Sequence, residues 1–141
     1  MNVSPLLGPV VALVAWSILM FFWLAIARAP QLRGRKISDG VRGADLERED
    51  PGRRNWPAHN YVHLMEQPTI FYAIVIALIL MGFDHPINVY LAWAYVGLRV
   101  VHSLIQATVN IVAYRFVVFT LSSLCLIGLT THAAIFLIHH G

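Results

Sequence analysis

The sequence is poor in charge and nearly free of cysteine. Of its 141 residues, 12% are charged and 58% are hydrophobic. A soluble domain of this length could not bury so much apolar surface, so the composition predicts an integral membrane protein. The one cysteine, Cys125, excludes an internal disulfide and argues against a thiolate site made by the protein itself. The length allows one domain, residues 1–141, and no second one.

The few charges are concentrated in one segment. Eight of the ten Lys and Arg residues lie between Arg28 and Arg54, together with five of the seven acidic residues. Mixed charge of this kind indicates a solvated loop and does not suit a nucleic-acid-binding surface. The charged residues outside the loop are Glu66, Asp84, Arg99 and Arg115.

Four apolar runs interrupt the polar sequence. Each is about 20 to 25 residues long, which is the length of a membrane-spanning helix, whereas a membrane strand needs only about 9–11 residues. We therefore expect an all-α membrane protein, a bundle of four transmembrane helices. The predicted spans are about 5–27, 57–81, 86–110 and 115–139, and the cytoplasmic loop is about 28–55.

Cap and turn residues mark these boundaries. Asn55 is a candidate N-cap of the second span, with Pro57 in its first turn. Pro86 follows the turn GFDHP and opens the third span, and the segment IVAY links the third span to the fourth. The first span has no basic segment before it, so we expect it to be retained rather than cleaved as a signal peptide.

Basic residues predict the orientation of the spans. The first loop is heavily basic and Arg115 follows the link between spans three and four, whereas the turn between spans two and three has no Lys or Arg. The positive-inside rule places both basic connections in the cytoplasm and both termini outside. With short loops and no targeting signal, the expected location is a bacterial inner membrane with periplasmic termini.

Polar residues inside two of the spans fall on one face of each helix. At about 100° per residue, those of the third span lie within about 80° of one another and those of the second within about 120°. Lipid cannot satisfy such groups, so the two stripes should face each other or a partner subunit. The stripes are His59, Asn60, His63, Glu66 and Gln67 on the second span, and Arg99, His102, Gln106 and Asn110 on the third.

Two interpretations of these stripes stay open on the residues alone. Glu66 and Arg99 could form a buried ion pair that holds the bundle together. A polar cavity open to the cytoplasmic side accounts for more of the polar groups. We expect no metal site, because His59 and His63 are spaced as two ligands on one helix face but the C-terminal histidines lie at the other membrane surface.

Two segments resemble a known family. NYVHLMEQPTIFY, residues 60–72, is similar to the second-helix signature of the MAPEG proteins, the membrane-associated proteins in eicosanoid and glutathione metabolism. LRVVHSLIQATVNIVAYRF, residues 98–116, resembles their third helix and the arginine that opens the fourth. The resemblance implies a bacterial member of the family and a homotrimer of four-helix protomers. It also implies that glutathione binds in a cleft between subunits, near the cytoplasmic side.

The resemblance implies roles for individual residues. Arg115 resembles the catalytic arginine that stabilises the glutathione thiolate, and Glu66 the glutamate that contacts the peptide. Arg99 and His102 resemble the Arg-x-x-His of members similar to prostaglandin E synthase. Either Arg53 or Arg54 is expected to contact a glutathione carboxylate. The residues expected to bind glutathione are Asn60, His63, Glu66, Arg99, His102, Gln106 and Arg54.

Three positions depart from the family pattern. His63 stands where asparagine is usual, His59 where arginine is common, and Gln106 where several enzymes have a tyrosine that contacts glutathione. These departures bear on the affinity for glutathione more than on the fold.

The favoured function is a membrane-embedded, glutathione-dependent transferase or peroxidase. Glutathione would be the co-substrate, and a lipophilic electrophile or lipid peroxide would arrive from the bilayer. A thiol with a pKa of about 8.5 is only a few per cent ionised at neutral pH, and a nearby guanidinium lowers that pKa. The alternatives are a non-catalytic lipid-binding or scaffold protein on the same fold, such as an accessory subunit of a larger membrane complex, and a membrane metalloenzyme.

Overall fold

The computed structural model describes residues 3–34, 36 and 38–141. Within these residues the chain forms four long helices and one short one, and it contains no strand, so the all-α prediction is confirmed for this part of the chain. A 3-10 turn, Arg53–Asn55, leads directly into the third helix. The helices are α1 (Leu7–Leu32), α2 (Gly43–Glu49), α3 (Trp56–Leu80), α4 (Pro86–Thr108) and α5 (Val112–His140).

The segment predicted as a loop, residues 28–55, is partly helical. Helix α1 continues through Pro30 to Leu32, and α2 lies within the predicted loop. Asn55 occupies the N-cap position of α3, but its side chain does not cap the helix. Instead, Asn55 Nδ2 donates to the carbonyl oxygen of Asp50 at 2.9 Å, and Asn55 Oδ1 accepts from Gln31 Nε2 at 3.3 Å. The buried Asn55 side chain therefore ties the end of the loop to the end of α1.

The connection from α3 to α4 is a glycine-dependent turn. Gly82 has a φ of 67°, in the left-handed region. Its N–H donates to the Ile79 carbonyl at 3.0 Å, and the N–H of Phe83 donates to the Leu78 carbonyl at 2.9 Å. This pair of bonds is the Schellman motif, which satisfies carbonyls that the end of a helix leaves free. Helix α4 then begins at Pro86, as the sequence predicts.

The connection from α4 to α5 is shorter than the sequence predicts. Helix α4 ends at Thr108 rather than near Asn110, and α5 begins at Val112 rather than near Arg115. Asn110 has a φ of 52°, and its N–H donates to the Ile105 carbonyl at 2.7 Å. Asparagine tolerates this left-handed conformation better than other side-chain-bearing residues. One residue thus reverses the chain, and most of the IVAY segment joins α5.

Helix α4 packs against α1, α3 and α5, and most extensively against α5. The core includes a parallel stack of Phe71 on Tyr95, with ring centroids 4.4 Å apart and planes inclined by 9°. Both rings are fully buried, as are Leu13 from α1 and Leu129 from α5. The stack therefore joins α3 to α4 at the centre of the packed helices.

Three helical segments in the described residues are long and apolar enough to cross a membrane: Leu7–Leu32, Arg53–Leu80 and Val112–His140. Helix α4 is not among them, because its buried face carries polar residues. Most of the surface of these segments is exposed and apolar, which suits contact with lipid. The protein is an integral membrane protein, whereas the span predicted for residues 86–110, which is α4, rests on the sequence pattern alone.

Replacing Gly82 by Ala should destabilise the fold by about 1 kcal/mol, because a Cβ is strained at this positive φ. Gly97 is the matched control: it lies inside α4, and a Cβ there would meet no atom within 4 Å. Gly97→Ala should stabilise the protein by roughly 0.5–1 kcal/mol, since alanine is the better helix former. Thermal unfolding in detergent measures both. Equal effects of the two substitutions would contradict the turn geometry.

Candidate functional site

The polar face of α4 is deeply buried. Arg99 is 1% exposed, His102 3% and Gln106 2%, and Ser103 is fully buried beside them. Their spacing places them on the face that α3 and α5 cover, because side chains three and four residues apart in a helix share a face. Three of these four residues were predicted as site residues, and the structure brings them together.

Arg99 is buried among aromatic rings. Its Nε donates to the hydroxyl of Tyr95 at 3.2 Å. The guanidinium carbon lies 5.0 Å from the centroid of the Phe119 ring and 5.4 Å from that of Tyr95, which are cation–π distances. Among the described residues, no carboxylate forms an ion pair with Arg99. The ion pair between Glu66 and Arg99, one of the two interpretations of the polar stripes, is therefore absent from this part of the chain, and Glu66 pairs with His63 instead.

A chain of hydrogen bonds leads from Arg99 across three helices. The Tyr95 hydroxyl donates to Gln67 Oε1 at 3.4 Å, and Gln67 Nε2 donates to the Ser123 hydroxyl at 2.9 Å. Ser123 in turn donates to the Phe119 carbonyl at 2.9 Å. This series of hydrogen bonds connects α4 to α3 and α5, so the position of the Arg99 guanidinium depends on all three helices.

Next to this cluster lies a cavity of about 230 Å³. Three basic side chains, His63, His102 and Arg115, line it, and no carboxylate is among its lining residues. An electropositive cavity with apolar walls suits an anion attached to an apolar group. The residues that line it are His63, His102, Val112, Arg115, Phe116 and Phe119.

Arg115 is held at the edge of the cavity by the turn before it. Its Nη1 donates to Asn110 Oδ1 at 2.7 Å. Its Nε is buried and has no hydrogen-bond partner among the described residues. The same asparagine that reverses the chain therefore fixes one end of the guanidinium, and other N–H donors of Arg115 remain for a ligand.

His63 and Glu66 form a pair on the neighbouring helix α3. The distance from His63 Nδ1 to Glu66 Oε2 is 3.1 Å. The His63 ring also lies edge-on to the His102 ring, with centroids 5.9 Å apart. The Glu66 side chain is 59% exposed, so the carboxylate lies at the outer surface of the helices and not in their core.

Arg54 lies outside the cluster around Arg99. It belongs to the 3-10 turn, is exposed, and pairs with Asp50 at 3.5 Å. Arg53, the other arginine predicted to contact a glutathione carboxylate, lies over the Trp56 ring at 5.4 Å. Neither lines the cavity.

Several buried polar atoms have no hydrogen-bond partner among the described residues. They are both amide atoms of Asn60, Gln106 Oε1, the Ser103 hydroxyl and Arg99 Nη2. Buried polar atoms are nearly always satisfied in folded proteins, and those left over need an explanation. None of these four side chains is among the residues that line the cavity.

Sequence reasoning did not find Tyr95, Ser103 and Phe119. The first two lie four residues before and after Arg99, and Phe119 lies four residues after Arg115. Helical spacing would have found Tyr95, one turn before the stripe of the third span, and Ser103, which lies between Arg99 and Gln106 on the same side of that helix. That Phe119 packs on Arg99 could not be found this way, because it depends on how α5 sits against α4.

Two of the histidines that do not line the cavity have other side chains as partners. His59 Nε2 lies 3.0 Å from Glu47 Oε2, and His132 Nδ1 lies 2.7 Å from Asn88 Oδ1. No group of three or more His, Cys, Asp or Glu residues that could hold a metal ion occurs in residues 3–34, 36 and 38–141.

These features define an integral membrane protein of long helices with a buried basic cluster beside a small cavity. The chain belongs to the MAPEG family, since the sequence model of that family matches residues 6–135, nearly its whole length. The family predicted from the two sequence segments is thereby confirmed. Comparisons with curated proteins and with solved structures gave no match.

Replacing Arg99 by Met should leave the melting temperature unchanged or raise it by a few degrees. Desolvating the guanidinium costs free energy, and one hydrogen bond with two ring contacts does not repay it as a carboxylate partner would. Thermal unfolding of the purified protein in detergent measures the effect. A fall of more than about 5 °C would show that the charge stabilises the fold.

Proposed function

We propose that this protein is a glutathione-dependent transferase or peroxidase that acts on lipophilic electrophiles or lipid peroxides within the membrane. The observation that carries the proposal is the cavity that Arg115 and two imidazoles line together with apolar side chains. Membership of the MAPEG family supports glutathione as the co-substrate.

The cavity accommodates only part of glutathione. Its volume of about 230 Å³ equals that of roughly eight water molecules at ~30 Å³ each. We therefore assign it to the cysteinyl thiol and the neighbouring atoms. The peptide amides and carboxylates would extend over Asn60, Gln106 and Arg99, where the unpartnered polar atoms lie. Glu66, at the outer surface of α3, is placed to meet the amino group of the tripeptide.

Arg115 would stabilise the thiolate. Arginine keeps its charge when partly desolvated, and its free N–H groups can donate to sulfur. A thiolate held by a guanidinium in a site screened from water is favoured over the thiol, and each unit by which the thiol pKa falls corresponds to about 1.4 kcal/mol.

The electrophile would enter from the lipid. Val112 and Phe116 line the cavity, and both are strongly exposed on the outer face of α5, Phe116 to 68%. An apolar molecule in the bilayer could thus reach the thiolate without crossing water. A polar substrate would gain nothing from these walls.

The proposal includes a homotrimer of protomers with four spans, in which α4 also crosses the membrane. The exposed Glu66 carboxylate on an apolar helix would be costly against hydrocarbon, so a neighbouring subunit is the better cover. Contact between subunits would enclose the tripeptide at their seam. The basic connections support an orientation with both termini periplasmic in a bacterial inner membrane.

A non-catalytic lipid-binding role is the second candidate. A groove of about 440 Å³ lies between α1 and α3, away from Arg115, and apolar side chains dominate its walls. It has the shape and polarity for an acyl chain. The side chains that line it are Val14, Ser17, Ile18, Phe21, Tyr61, Met65 and Tyr72. A lipid-presenting or scaffold subunit would use this groove and leave the basic cavity unused.

Replacing Arg115 by Leu should abolish the conjugation of glutathione to a chromogenic electrophile, with a loss of at least about 10²-fold, because the thiolate loses its counter-charge. The oligomer should persist on size-exclusion chromatography. The matched control is Arg33→Leu, which removes an exposed arginine of the loop and should leave turnover unchanged. Turnover by Arg115→Leu equal to wild type would contradict the mechanism.

Glutathione itself should raise the melting temperature of the wild-type protein. At a concentration 100 times its dissociation constant, a ligand of the folded state contributes about 2.7 kcal/mol. Arg115→Leu should show a smaller shift. No shift in wild type, together with a shift produced by lipid, would favour the lipid-binding candidate.

A further inference from the structure

His63 and Glu66 form a histidine–carboxylate pair at the cavity. His63 lines the cavity together with Arg115, and its Nδ1 lies 3.1 Å from the Glu66 carboxylate. We propose that His63, oriented by Glu66, is the general base that removes the thiol proton of glutathione while Arg115 stabilises the resulting thiolate. This inference rests on the proposed function and adds a second catalytic residue to it.

The pair determines which nitrogen of His63 can react. An ionised carboxylate only accepts hydrogen bonds, so Nδ1 of His63 carries the hydrogen that faces Glu66. The lone pair of the neutral ring is then on Nε2. A carboxylate that orients an imidazole in this way is the arrangement by which proteins activate nucleophiles through a histidine.

His63 suits the role better than His102, the other imidazole in the cavity. His102 is 3% exposed, and no carboxylate pairs with it among the described residues. His63 is partly exposed and has the Glu66 carboxylate as a partner. The charged and titratable groups that face His63 are Glu66 on its own helix, Arg99 and His102 on α4, and Arg115 on α5.

The reaction step is balanced as follows. The S–H bond of glutathione breaks, its electron pair stays on sulfur, and the proton moves to Nε2 of His63. The thiolate then forms a C–S bond with the electrophilic carbon. In an addition, the imidazolium returns the proton to the adduct. In a displacement, the leaving group departs as an anion and the proton passes to water.

A matched histidine–glutamate pair lies one helical turn away. His59 Nε2 is 3.0 Å from Glu47 Oε2, but His59 does not line the cavity. Substituting it removes an imidazole from the same helix and breaks a similar pair, without touching the proposed reaction. His59→Ala is therefore the control for His63→Ala.

The experiment measures conjugation of glutathione to a chromogenic electrophile between pH 6 and pH 9 in His63→Asn, His63→Ala, Glu66→Gln and His59→Ala. We expect His63→Asn to lower kcat at pH 7 by roughly 10²-fold. The loss should diminish as the pH rises towards the pKa of the bound thiol, where bulk solvent removes the proton. Added imidazole should restore part of the activity of His63→Ala. It should have no effect on His59→Ala.

Glu66→Gln separates the orienting role from peptide binding. If Glu66 orients His63, kcat falls by roughly 10-fold, in addition to the rise in KM that the loss of its contact with the peptide produces. A rise in KM with unchanged kcat would show that Glu66 only binds the peptide, and it would overturn the proposed pair. Size-exclusion chromatography checks that each variant keeps its oligomeric state.

The outcomes distinguish this inference from the proposed function. An active wild type with a wild-type pH profile in His63→Asn, and no response of His63→Ala to imidazole, would overturn the inference and leave the thiolate role of Arg115 standing. A wild type that neither binds glutathione nor conjugates it would overturn both.

Discussion

The polar face of α4 has to be buried by protein, because lipid offers its side chains no partner. Arg99, His102, Ser103 and Gln106 lie on that face, and α3 and α5 cover it. Aromatic rings and one hydroxyl surround the guanidinium of Arg99, and no carboxylate neutralises it among the described residues. The arrangement of the other helices follows from this requirement, and so does the position of the cavity beside it.

A single residue joins the fold to the site. Asn110 adopts the left-handed conformation that ends α4, and its side chain accepts a hydrogen bond from Arg115. The turn is so short that Arg115 lies in the first turn of α5 and faces the end of the α4 stripe. In a longer link the arginine would be free to turn towards the headgroups. The geometry of the turn at Asn110 therefore also determines the position of Arg115, the proposed catalytic cation.

The proposed chemistry uses side chains that differ in their surroundings. Arg115 has free donors beside apolar walls, whereas Arg99 is enclosed among rings and bonded to Tyr95. His63 has a carboxylate partner and His102 has none among the residues described. In the proposed chemistry, Arg115 would hold the sulfur and His63 would take the proton. Membership of the MAPEG family supports this proposal.

Much of the fold follows from the sequence, because apolar runs of membrane length can only be helices. The four long helices, the turn before Pro86 and the polar stripe of α4 were predicted from spacing, and the two segments around Glu66 and Arg115 were enough to recognise the family. Which side chains contact one another was decided by the tertiary structure. Glu66 pairs with His63 three residues away rather than with Arg99, and Phe119 packs on Arg99. Helical periodicity specifies the direction of each side chain from its own axis, whereas contacts between helices depend on their rotation and depth of packing, which no local pattern encodes.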